Sequence, residues 1–81
     1  MPYIKQTIRE LLDANRSEPA TAGELNYKIT RLCLDYIATH GKQYNTYNEA
    51  IGVLSCVTQE LYRRQVAPYE DQKIAENGDV V

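Results

Sequence analysis

Thr21-Ala-Gly-Glu-Leu-Asn-Tyr-Lys-Ile-Thr-Arg-Leu-Cys-Leu-Asp-Tyr-Ile-Ala-Thr-His-Gly41 is the stretch that decides the fold class. Thr21 and Glu24 have the form of a capping box: the threonine hydroxyl accepts from an early helical amide while the glutamate reaches back. Leu25, Ile29, Leu32 and Tyr36 then recur at helical spacing, widened by Cys33 and Ile37. His40 and Gly41 close the segment, glycine being suited to the left-handed position after a helix. The pattern predicts a helix over residues 22–39.

The segments on either side follow the same rules. Ile4, Ile8, Leu11 and Leu12 put a short amphipathic helix at residues 4–15. Arg16-Ser-Glu-Pro-Ala20 interrupts it, because Pro19 pushes Glu18 out of helical geometry. A second capping-box pattern, Thr46-Tyr-Asn-Glu49, predicts that the longest helix opens there and runs over residues 47–66. Ala50, Ile51, Val53, Leu54, Val57 and Leu61 give it a wide apolar arc. Gly52 lowers its helix propensity but admits a close neighbour. Pro68 should stop or kink the chain near Val66 and then begin a terminal helix at residues 68–76. Glu70 and Asp71 would favour that helix's first turn, and Asn77-Gly78 would end it.

No segment alternates with period two for long enough to form a strand. The reading is one all-α domain spanning residues 1–81, a small bundle of three to four helices completed by homodimerisation. The dimer is expected because a chain of this size hides only about 60% of its unfolded surface. A place for the second copy lies on the helix at residues 22–39. Tyr27, Arg31, Leu34 and Ala38 form a second line opposite the main stripe, at separations that suit a packed helix pair.

Composition narrows the function. Nine basic against eleven acidic residues leave a net charge of −2, which argues against bulk nucleic-acid binding. A helix-turn-helix would read DNA through Asn48, Glu49, Ser55 and Gln59, which include no cation. All seven aromatic residues are tyrosine, a side chain suited to core edges and interfaces. Two cysteines, Cys33 and Cys56, have neither metal-ligand spacing nor a disulfide framework. The N-terminus lacks the apolar region of a signal peptide, and no apolar run approaches the roughly 20 residues of a membrane span. A soluble cytoplasmic protein with no membrane contact is expected.

No catalytic or metal pattern emerges, and the sequence calls for no cofactor. His40 sits where its charge suits a helix C-terminus, away from a Cys–His pair. Asn77-Gly78-Asp79 lacks the order of a calcium loop. Attention falls instead on the polar C-terminal stretch. Tyr62, Arg63, Arg64, Tyr69, Glu70, Asp71, Lys73, Asn77 and Asp79 gather charge, amide and aromatic groups after a strongly apolar helix. Arg64 can hook an anion or pair with Glu60, Glu70 or Asp71.

Several words of the sequence resemble a family. They are Gly23-Glu-Leu-Asn-Tyr27, Ile29-Thr-Arg-Leu32, Asn48-Glu-Ala-Ile-Gly-Val-Leu54, Tyr62-Arg-Arg64, Ala67-Pro-Tyr-Glu-Asp71, Lys73-Ile74 and Glu76-Asn-Gly-Asp-Val80. Together they resemble short uncharacterised proteins of tailed bacteriophages and prophage-carrying bacteria. The resemblance brings a setting, the cytoplasm of a bacterial host cell, and no catalytic residues. The combined expectation is a non-enzymatic, homo-oligomeric helical binding module that engages a host protein. The alternative is a module that sequesters or senses a small anionic nucleotide-like ligand. A small hydrolase with its site across a dimer interface ranks last.

Overall fold

The computed structural model describes residues 4–81, and these residues are helical with no strand among them. The helices are α1 (Gln6–Asp13), α2 (Ala22–His40), α3 (Tyr44–Leu61) and α4 (Ala67–Asn77), with a π-helical turn, Tyr62–Val66, between the last two. The chain divides into two compact units, Met1–Tyr47 and Asn48–Val81.

In the first unit α1 packs on α2 through Leu12, which is 1% exposed. α1 ends in a Schellman arrangement. Asn15 takes φ 54°, its amide donates to the Leu12 carbonyl at 3.0 Å, and the Arg16 amide donates to Leu11 at 2.8 Å. Asparagine is one of the few residues that enter this region readily. The turn stops α1 at Asp13, short of the predicted residue 15. Lys28 of α2 then donates from Nζ to the Leu12 carbonyl at 3.3 Å and to Asn15 Oδ1 at 2.7 Å, placing a cation on a helix C-terminus.

The first capping box forms with a small difference. The Glu24 amide donates to Thr21 Oγ1 at 3.1 Å, as expected. The Glu24 carboxylate reaches one residue further back than the motif requires, accepting from the Ala20 amide at 3.1 Å as well as from the Thr21 hydroxyl at 3.3 Å. Gly41 ends α2 with φ 105°, its amide donating to Ile37 at 2.8 Å. A Cβ there would lie 3.1 Å from Gln43 Nε2 on a backbone that L-residues rarely adopt.

The second capping box does not cap. α3 begins at Tyr44, and the Tyr47 amide already donates to Gln43 at 3.0 Å. Thr46 therefore lies inside the first turn, buried at 4% exposure. A stop near Val66 is also absent. The Ala67 amide donates to the Tyr62 carbonyl, five residues back, and Val66 and Ala67 both keep right-handed helical dihedrals. Pro68 has no amide to give, and its ring crowds the carbonyl four residues earlier in an α-helix. Widening one turn to five-residue bonds relieves that clash without ending the helix. Residues 44–77 are consequently helical throughout. The helix ends at Gly78, whose φ is 87° and whose amide donates to Ile74 at 2.8 Å.

The apolar stripes expected to form the core are open. On α2, Leu25 is 51% and Leu32 65% exposed. On α3 only Ala50 is buried and Leu54 half-buried.

The Thr21 cap supplies a direct test of helix energetics. Thr21→Ala should lower unfolding free energy by about 1 kcal/mol in urea titration, and Thr21→Ser should largely preserve it.

Candidate functional site

The nine C-terminal residues singled out from the sequence span the π-helical turn, α4 and the residues just beyond it. Their charges turn largely toward one another. The Tyr62 hydroxyl donates to Glu70 Oε1 at 2.5 Å. Arg64 Nε donates to Glu60 Oε2 at 2.7 Å. Lys73 Nζ lies 3.3 Å from Glu76 Oε2 and 5.5 Å from the centre of the Tyr69 ring. Asp79 accepts from the Val81 amide at 3.3 Å. Arg63, Asp71 and Asn77 are exposed.

The π-helical turn explains the first of these contacts. Residues eight apart on an α-helix are separated by about 80° around the axis, because each residue turns about 100°. One wider turn absorbs most of that difference and brings Tyr62 and Glu70 onto a common face. The hydrogen bond to Glu70, and the negative charge of that carboxylate, hold the Tyr62 phenol above its usual range. Glu70 and Asp71 were expected to compensate a free helix N-terminus. That setting does not exist, since the helix arrives unbroken from α3 and the Ala67 amide is already bonded.

The surface is shallow. A depression of about 310 Å³ beside α4 is lined by Tyr69, Glu70, Lys73, Ile74, Asn77 and Asp79 among others, and neither Arg63 nor Arg64 lines it. A second, of about 320 Å³, lies along α1 and α2 and includes Asp13, Lys28, Arg31 and Asp35. Its cations are already engaged: Lys28 holds the end of α1, and Arg31 pairs with Asp35 at 2.8 Å. The adjoining carboxylate also raises the pKa of the Arg31 guanidinium.

The line proposed for dimerisation on α2 divides in two. Tyr27 turns to α1 and donates to Asp13 Oδ2 at 2.7 Å, which raises its pKa in the same way as Tyr62. Arg31 is taken up by Asp35. Leu34 and Ala38 are exposed. Sequence reading missed the Tyr27–Asp13 contact because fourteen residues and a loop separate the partners. It also missed Glu76, whose three-residue step from Lys73 was a visible signal. His40 is held locally, with Nδ1 2.9 Å from the Tyr36 carbonyl and its ring stacked on Tyr36 at 4.1 Å.

Among the described residues no group of three or more His, Cys, Asp or Glu is placed to hold a metal ion. No described helix is long and apolar enough to cross a membrane.

The Tyr62 contact predicts a pH effect with a definite sign. A raised folded-state pKa favours the neutral phenol, so its stabilising contribution is present below the unfolded phenol pKa and lost as pH rises through the folded value. Ultraviolet titration should show Tyr62 ionising late, and Glu70→Gln should shift it earlier. Pro68→Ala should do likewise, by letting the turn revert to α-helix and rotating Glu70 away.

No curated protein and no solved structure matches this chain. A family model does, over residues 1–80, taking in the N-terminal helix as well as the words from Gly23 onward. Its description is a domain of unknown function, and the chain belongs to that family, DUF6899.

Proposed function

We propose that this protein is a non-enzymatic helical binding module that works as a homo-oligomer and docks a protein partner through its C-terminal surface. The observation that carries the reading is how little apolar surface the chain removes from water. Leu12 and Ala50 are the buried apolar side chains among the described residues, while Leu25, Leu32, Ile51, Val53 and Leu61 are each more than half exposed. Full burial of a Leu or Ile contributes about 1.5–3 kcal/mol. Ordering each backbone residue costs about 1–2 kcal/mol, so a core this small does not sustain eighty-one ordered residues by itself. A second copy is the one partner present wherever the chain is made.

The partner reading ranks above the anionic ligand because of charge. Arg64 and Lys73, which would hold a phosphate, each have a carboxylate of their own. Tyr62 and Tyr69 remain 53% and 59% exposed on a shallow surface, a composition that suits contact with another protein. The resemblance to phage and prophage proteins supplies the setting: a host protein as partner, in the cytoplasm of the infected cell.

Oligomerisation makes stability depend on concentration. Thermal unfolding followed by circular dichroism should shift to higher temperature across a hundredfold rise in protein concentration. Native mass spectrometry should give a multiple of the chain mass. A monomer mass with a concentration-independent transition would overturn the proposal, and a retained small molecule would favour the ligand alternative.

A further inference from the structure

We infer that α3 is the dimerisation helix and that it meets a second copy of itself running antiparallel, with Val57 at the two-fold axis. The inference rests on the homo-oligomer reading and adds its surface and direction.

Glu49, Val53, Val57 and Leu61 follow one another at four-residue steps, so they lie along a single ridge of α3. All four are exposed, the three aliphatic residues at 61%, 46% and 56%. α3 carries two charged residues, Glu49 and Glu60, both acidic, and Arg63 and Arg64 follow it directly. The ridge thus has an acid at one end, aliphatic side chains in the middle, and arginine just beyond the other end.

Such a row is complementary to its own reverse. Turned about a two-fold axis at Val57, it sets Val57 against the same residue of the copy and Val53 against Leu61. Glu49 then falls beside Arg64 on both sides of the axis. A parallel copy would instead bring glutamates level with glutamates and arginines level with arginines. A foreign partner would not require a row that reads the same in both directions. That palindrome assigns the face to a second copy. Arg64 can keep its 2.7 Å contact with Glu60 while meeting the incoming carboxylate, since a guanidinium offers several donors. The earlier α2 candidate lacks this property, because Tyr27 and Arg31 are engaged by Asp13 and Asp35.

Charge reversal provides the test. Glu49 and Arg64 are fifteen residues apart, about 22 Å along a helix rising 1.5 Å per residue, so they cannot pair within one chain. Sedimentation equilibrium should show Glu49→Arg and Arg64→Glu each weakening the dimer about tenfold, through like charges brought together twice per dimer. The double variant should recover to within about threefold of the original affinity. Should a single variant lose its helical circular dichroism, Val57→Cys with Cys33→Ser and Cys56→Ser decides instead. Oxidation should then link two copies through residue 57. A dimer that persists without recovery in the double variant, or without the crosslink, overturns this inference alone. A monomeric unaltered protein overturns both it and the homo-oligomer reading.

Discussion

A helix alone in water gains little, because the hydrogen bonds it forms replace bonds to solvent and nucleation fixes several dihedrals for one bond. What makes helices persist is the apolar surface they remove from water. In this chain one such contact is complete: Leu12 closes the junction of α1 and α2. Around it the polar groups are arranged to support the junction. Tyr27 ties α2 to the last residue of α1, and Lys28 satisfies a carbonyl left over where α1 ends. The second unit has no equivalent. Its helix carries a broad aliphatic arc of which Ala50 is the buried member.

Pro68 governs what the second unit can present. Had the proline ended the helix, the residues after it would have formed a separate element with its own free amides and its own orientation. The π-helical turn instead carries the helix through, and α4 inherits its direction from α3. The widened turn also rotates everything after it. Tyr62 and Glu70 meet because of that rotation, and the pair in turn links one side of the turn to the other. A local backbone adjustment thereby sets which side chains share the outer face of the C-terminal surface. Glu60 and Arg64 also form their four-residue pair across the junction of α3 with the turn.

Much of this was legible in the sequence where the signal is local. Thr21 and Glu24 announce the start of α2, and Gly41 and Gly78 announce two ends, because each acts through atoms a few residues away. The Arg64–Glu60 pair was equally visible from its spacing. Other features depended on comparing two local signals that disagree. Thr46 and Glu49 form a capping pattern, but a turn already closed by Gln43 and Tyr47 precedes them and makes the threonine interior. Pro68 reads as a helix stop because a π-helical turn has no composition of its own to announce it. The Tyr27–Asp13 bond needs the path of the loop between α1 and α2, which no periodicity encodes. For the C-terminal surface, residue types were legible and their pairing was not. Listing cations and tyrosines identifies the segment, but only the helical register shows which charges are already neutralised.

That neutralisation shapes what the surface can recognise. An exposed ion pair contributes little to stability, about 0–1 kcal/mol, so separating it to meet a partner costs correspondingly little. Arg64 and Lys73 are therefore accessible to an incoming carboxylate despite their internal contacts, though neither stands as a bare charge that would concentrate phosphate. The aromatic rings beside them are different, because Tyr62 and Tyr69 offer apolar area that water covers poorly and that no internal contact removes. Recognition built this way takes its affinity from the rings and its orientation from the charges. It requires a partner large enough to cover several turns of helix at once, which a protein surface satisfies and a small anion does not.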